Sequence, residues 1–121
     1  MSTANYLIVG SGIAGLSLAL KLAEQFPEHK IALVTKSNAD ESNTKYAQGG
    51  VAAVIYHPDT YEKHIRDTIV AGDELSDKRI VDITIRESTT RVMELVEWGV
   101  NFDKTDSGRF SLAKEGGHSE Y

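Results

Sequence analysis

The residues best suited to chemistry form a glycine-rich run, Gly10-Ser11-Gly12-Ile13-Ala14-Gly15. The run directly follows a short apolar stretch and opens an amphipathic one, the strand-to-helix context that turns this spacing into a dinucleotide fingerprint. In that context Gly10 permits a tight turn, Gly12 lets a pyrophosphate approach the backbone, and Gly15 lets helix and strand pack closely. Amides around Ser11, Ile13 and Ala14 would face the phosphates together with the positive end of the helix dipole. Incidental glycines in an ordinary turn would carry no ligand, and the flanking pattern argues against that reading. The generic fingerprint also places a carboxylate at the end of the second strand, where it accepts from ribose hydroxyls. Here Thr35-Lys36-Ser37 stands instead. Lys36 fits a 2'-phosphate or a solvated loop equally, so the motif alone leaves the nucleotide open.

Two further clusters carry polar groups beside glycines: Ala47-Gln48-Gly49-Gly50 and Glu115-Gly116-Gly117-His118-Ser119. Adjacent glycines expose amides and allow close approach to a flat ring, and Gln48 offers donors and an acceptor; a plain turn at Gly49-Gly50 is the alternative. Glu115 by itself reads as an exposed loop carboxylate. His118 could touch a ligand or brace its loop. His29, His57 and His64 show no ligand grouping and are expected at the surface, so no metal site is expected. No Ser/His/Asp nucleophilic set is apparent, and the carboxylates of the longest helical stretch read as a solvated face.

These groups need a scaffold. Residues 4–9 read as a buried parallel strand, and Ile13, Leu16, Ala19, Leu20 and Ala23 recur at helical spacing up to Phe26, with Pro27 just beyond. Residues 30–35 form a second strand, completing a β-α-β unit with parallel strands and a right-handed crossover. Residues 36–48 are polar and irregular. Residues 51–56 are expected to pair as a short strand, and Asp59 with Glu62 makes a capping box opening a helix whose stripe is Tyr61, Ile65 and Ile69. Gly72 ends that helix. Ser76 or Asp77 opens a longer one through Val81, Ile85, Val92, Leu95 and Val96 to Trp98-Gly99, and residues 100–103 and 109–112 are candidate short strands.

The chain has 121 residues, 40% apolar and 26% charged, which suits one soluble globular domain. A net charge of -5 argues against nucleic acid as a partner. The absence of cysteine excludes disulfides and thiolate chemistry and is consistent with a cytoplasmic location. No apolar run approaches the roughly 18–20 residues of a membrane span, and residues 6–9 are too short for a signal peptide. A doubly wound sheet needs strands that these residues do not supply. The expected fold is therefore α/β: a Rossmann-like βαβ unit with additional helices and an incomplete parallel sheet, the N-terminal part of a larger protein.

Three blocks carry a resemblance: Ile8-Val9-Gly10-Ser11-Gly12-Ile13-Ala14-Gly15-Leu16-Ser17, Thr44-Lys45-Tyr46-Ala47-Gln48-Gly49-Gly50-Val51-Ala52-Ala53 and Lys114-Glu115-Gly116-Gly117-His118-Ser119. In this order, over essentially the whole chain, the sequence resembles the L-aspartate oxidases of the succinate dehydrogenase and fumarate reductase flavoprotein superfamily. The resemblance implies FAD as cofactor and an FAD-binding domain. FAD would be held by the glycine turn, by Lys36 near the adenosine, and by Asn43, Thr44, Lys45, Tyr46, Ala47, Gln48, Gly49 and Gly50 wrapping toward the flavin; the 2'-phosphate inference then falls away. Asn43 stands where respiratory succinate dehydrogenases have a histidine covalently joined to the flavin, which implies noncovalent FAD. Glu115 stands where dicarboxylate-specific relatives tend to have an apolar aromatic residue, and it would orient L-aspartate by pairing with its ammonium group.

The implied reaction is oxidation of L-aspartate to iminoaspartate with oxygen or fumarate as acceptor, supplying quinolinate synthase in NAD biosynthesis. The catalytic arginines and histidines are expected outside these residues, leaving the chain alone inactive. A soluble fumarate reductase or succinate dehydrogenase subunit is disfavoured by Asn43 and Glu115. A nucleotide-binding module without catalysis is the alternative of another class.

Overall fold

The computed structural model describes residues 3–47, 49–114 and 116–121. They fall into two compact units, Met1–Gly49 and Gly50–Tyr121.

The first unit contains β1 (Tyr6–Val9), α1 (Ile13–Gln25), β2 (Ile31–Val34) and α2 (Asn43–Tyr46). The strands run parallel, with Tyr6 opposite Ile31 and Val9 opposite Val34. Both are shorter than the sequence suggests because polar bonds finish the pairing. The Asn5 carboxamide oxygen accepts from the Lys30 amide at 2.9 Å, and the Gly10 amide donates to the Val34 carbonyl at 2.8 Å. Residues alternate across the pleat, so Ile8 is buried while Leu7 and Val9 on the opposite face stay exposed. Helix α1 packs on both strands. It stops at Phe26, before Pro27, and the Phe26 ring stacks on His29 with centroids 5.1 Å apart. The polar stretch after β2 is not wholly irregular: the Ser42 hydroxyl caps the short α2 by accepting from the Lys45 amide at 3.3 Å.

The second unit is built on α3 (Tyr61–Ala71) packed against α4 (Lys78–Glu97). Val81, Ile85 and Val92 form the buried stripe of α4. Asp77 caps α4 by accepting from the Arg79 and Ile80 amides at 2.9 and 3.2 Å, and Gly72 closes α3. The cap of α3 lies one residue later than the Asp59/Glu62 pattern indicates. Thr60 accepts from the Lys63 amide at 3.2 Å, while Asp59 accepts from the Thr60 amide at 2.7 Å and Glu62 reaches across to Arg86 at 3.1 Å.

The expected strand at residues 51–56 does not form. Its Val54 carbonyl accepts instead from the Thr89 hydroxyl of α4 at 2.6 Å, a side-chain bond in place of a ladder. The two expected strands after α4 reduce to one antiparallel bridge between Lys104 and Phe110, because a tight turn between them leaves little to pair. Tyr56 fastens that turn: its hydroxyl accepts from the Phe110 amide at 3.1 Å and the Arg109 guanidinium sits 4.2 Å over its ring. Among the described residues, no helix is long and apolar enough to cross a membrane.

The shifted cap yields a test. In thermal unfolding of the intact protein, Thr60→Ala should cost about 1 kcal/mol, as loss of a threonine cap does. Glu62→Gln, which removes an exposed charge paired with Arg86 but keeps an acceptor for the Glu62 amide, should change stability by less than about 0.5 kcal/mol.

Candidate dinucleotide site

In the first unit the glycine turn joins β1 to α1. Gly10 has φ +106, a conformation that L side chains rarely adopt, and it reverses the chain at the strand end. Gly15 is required for a different reason: a Cβ there would run into the Gly10 carbonyl oxygen. Backbone therefore packs on backbone, and the start of α1 is drawn against the end of β1. Gly12 has φ -72 and extended ψ, and a Cβ there would meet only the Thr44 hydroxyl, at 3.5 Å. The chain itself does not forbid a side chain at Gly12. What the glycine keeps clear is the approach to the helix N-terminus, which has no side-chain cap.

First-turn amides lack intrahelical acceptors, and the helix dipole adds a partial positive charge. One of them, on Ile13, donates to the Thr44 hydroxyl at 3.2 Å, which ties α2 to the turn. Those of Ala14 and Gly15 belong to the same first turn. The Ser11 side chain turns inward: buried, it donates to the Thr35 hydroxyl at 3.1 Å and joins the ends of the two strands. The other first-turn amides, with a glycine rather than a capping side chain in front of them, fit a pyrophosphate.

The other residues singled out from the sequence separate by unit. Lys36 is exposed just past β2. Asn43 opens α2, and Ala47 closes it with its amide on the Thr44 carbonyl at 3.4 Å. The Lys45 ammonium pairs with Asp40 at 2.7 Å and Glu41 at 3.9 Å. Tyr46 is exposed, and its hydrogen bond to Glu41 raises its pKa. Structure thus gathers the glycine turn and residues 43–47 in one unit, along with Gly49, whereas Gly50 and residues 116–119 belong to the second unit. Gln48 and Glu115 lie outside the described residues.

In the second unit the loop after Glu115 rests on α3. The His118 ring lies 4.3 Å from the His64 ring, and one Asp67 oxygen accepts from both the Ser119 amide at 2.7 Å and the Ser119 hydroxyl at 2.6 Å. His64 was expected at the surface; it is buried. Its burial follows from contacts the local sequence does not display, with His118 on one side and the Asp59 carboxylate 3.6 Å from Nδ1 on the other. Desolvation, helped by His118 and opposed by Asp59 and Asp67, lowers the His64 pKa below the ordinary histidine value. The Ser119 bonds lower that of Asp67. Sequence reasoning missed Asp67 and Thr35. The signal for Asp67 was the spacing of His64, Asp67 and Ala71, which places all three on one helix stripe. Among the described residues, no group of His, Cys, Asp and Glu could hold a metal ion.

These geometries define a dinucleotide-binding protein, and comparison with known families specifies which kind. A family model described as an FAD binding domain matches residues 5–121; the chain belongs to this family, and its cofactor is FAD. It is 45% identical over 115 residues to a chloroplastic L-aspartate oxidase of Oryza sativa subsp. japonica, a match covering 95% of this chain and 17% of the relative. With an L-aspartate oxidase of Yersinia pestis it shares 44% identity over 117 residues, covering 93% of this chain and 21% of that one. Among solved structures, a quinol-fumarate reductase with menaquinol molecules superposes with a TM-score of 0.89 at 35% identity, covering 99% of this chain and 21% of the other. The chain spans about a fifth of the length of the curated relatives it matches.

The two inner glycines should separate by experiment. Gly15→Ala should cost about 1–3 kcal/mol in unfolding, the usual range for overpacking. Gly12→Ala should leave the unfolding temperature near that of the parent while weakening FAD binding about tenfold or more in a fluorescence titration, equivalent to about 1.4 kcal/mol. The His64 environment sets a pH dependence. Because its folded pKa lies below the unfolded value of about 6.5, the unfolded state binds more protons as pH falls through the histidine range. Denaturation midpoints should hold steady above about pH 7 and decline toward pH 5, and His64→Gln should flatten that decline.

Proposed function

We propose that this chain is the FAD-holding part of an L-aspartate oxidase, which converts L-aspartate to iminoaspartate with oxygen or fumarate as the final acceptor. One observation carries the reading: identity of 41–45% to L-aspartate oxidases of plants and bacteria over more than nine-tenths of the chain. The glycine turn supports it by offering backbone donors to the pyrophosphate. FAD supplies the two-electron acceptance that no side chain can provide.

On this reading the chain's residues bind and orient. Residues 10–15 hold the phosphates and Lys36 lies toward the adenosine. Asn43, Thr44, Lys45, Tyr46, Ala47, Gln48, Gly49 and Gly50 serve the remainder of the cofactor. With asparagine at position 43, where some relatives have a histidine bonded to the flavin, FAD is held noncovalently. Glu115 pairs with the substrate ammonium, a charge-assisted contact that succinate cannot make. The product would pass to quinolinate synthase in NAD biosynthesis. The absence of cysteine supports the cytoplasm as the compartment, whereas the plant relatives are named as chloroplastic.

Three results are expected from the full-length protein that carries this sequence. Acid precipitation should release all of the FAD into the supernatant. L-Aspartate should bleach the flavin absorbance anaerobically, and succinate should not; turnover of succinate with none of aspartate would overturn the assignment in favour of a fumarate reductase or succinate dehydrogenase. Glu115→Gln should lower kcat/KM for aspartate about tenfold to a hundredfold, the loss of a charged hydrogen bond of about 1.5–3 kcal/mol.

A further inference from the structure

We propose that Thr89 is a positioning residue for the cofactor, holding the segment that carries Gly50; the inference rests on the assignment of Gly50 to FAD above. Residues 50–56 belong to the second unit and form no strand, so no ladder sets the register of their backbone groups. The Thr89 hydroxyl of α4 donates to the Val54 carbonyl at 2.6 Å, and the Tyr61 hydroxyl of α3 donates to the same Thr89 oxygen at 3.3 Å. Among the described residues, the Val54 bond is the one hydrogen bond that residues 50–55 make. The next fixed point along the chain is Tyr56, whose carbonyl accepts from the Asp59 amide at 3.2 Å and whose hydroxyl accepts from the Phe110 amide at 3.1 Å.

Thr89 stands where packing alone would ask for an apolar residue. Val81, Ile85 and Val92 are the buried stripe of α4, and position 89 continues their spacing, one helical turn from Ile85 and from Val92. A half-buried hydroxyl in such a stripe costs free energy unless it is bonded. Here it is bonded on both sides. A threonine hydroxyl has a single hydrogen, and because Tyr61 donates to its oxygen, that hydrogen is left for Val54. Both long helices thus reach the segment through one directed chain of hydrogen bonds, Tyr61 to Thr89 to Val54. Four residues before Val54, Gly50 is exposed with φ +119, where the missing Cβ leaves its backbone open to a ligand. A glycine-led segment that is loose in the free protein must be ordered when a ligand binds, at an entropic cost. The tether at Val54 shifts part of that cost to folding, so FAD meets Gly50 already placed.

The test uses the full-length protein. Thr89→Val keeps the side-chain shape and removes the donor; in a fluorescence titration it should weaken FAD binding about tenfold, and Thr89→Ser, which keeps the hydroxyl, should recover most of the loss. In the parent, FAD should slow hydrogen exchange across residues 50–55, and the slowing should be smaller in Thr89→Val. Parental FAD affinity in Thr89→Val, with or without a lowered unfolding temperature, would make Thr89 purely structural and overturn the proposal, as would equal slowing of exchange in the two proteins. If Thr89→Val does not fold, Tyr61→Phe, which frees the Thr89 hydroxyl to turn from Val54, should give a smaller loss of affinity; no loss would overturn the proposal. An absence of slowing in the parent means that residues 50–55 do not meet FAD: the assignment of Gly50 then fails, and the proposal with it. Slowing in the parent beside unchanged affinity in Thr89→Val removes the role of Thr89 alone.

Discussion

The close approach of α1 to β1 at Gly15 and Gly10 is the contact on which the first unit depends. No side chain fits between the two backbones there. That constraint sets where the helix begins relative to the strand end, and so determines what the first-turn amides can meet. A larger residue would have to push the helix away, and the Ile13 bond to Thr44 and the packing of α1 on the sheet would move with it. The donor array is thus a product of packing: sites assembled from backbone groups inherit their geometry from the elements that carry them.

The second unit works on the opposite basis. Its groups of interest are side chains, positioned by the pairing of α3 with α4 and by the anchoring of a glycine-bearing loop. Charges on the exposed side of α4, such as Arg86 with Asp82 and Arg91 with Glu87 and Glu94, form pairs at helical spacing. They contribute a few tenths of a kcal/mol each and decide little about the fold. Buried His64 and its neighbours matter more, since a polar ring in a low-dielectric setting must be satisfied by a defined set of partners.

The β-α-β unit and both long helices could be read from the sequence because their signals are local: an apolar run ending at glycine, a helical period, a proline or glycine stop. The expected strands at residues 51–56, 100–103 and 109–112 misled because a short apolar run says nothing of a partner strand. Val54 found the hydroxyl of Thr89 instead. The cap at Thr60 was hidden by a second acceptor beside it, Asp59, whose carboxylate serves Thr60 itself. The glycine turn was legible as a phosphate loop, whereas burial of His64 and the Asp67 anchor depend on residues far along the chain. A histidine, an aspartate and an alanine on one stripe do not look like a buried face.

The polar ends of the sheet have a consequence for how its alignment is specified. Tyr6, Leu7, Ile8 and Val9 are apolar on both faces, as are Ile31, Ala32, Leu33 and Val34. Sliding one strand past the other by a residue would exchange apolar for apolar, so hydrophobicity alone discriminates poorly among alignments. The discrimination comes from Asn5 with Lys30 at one end and Ser11 with Thr35 at the other. A slip would break both and carry the phosphate-facing turn about 3.3 Å from its place relative to β2. Two polar side-chain contacts flanking a greasy ribbon thus act as its vernier, so the side chains of an asparagine and a serine at the strand ends set where the ligand can be met.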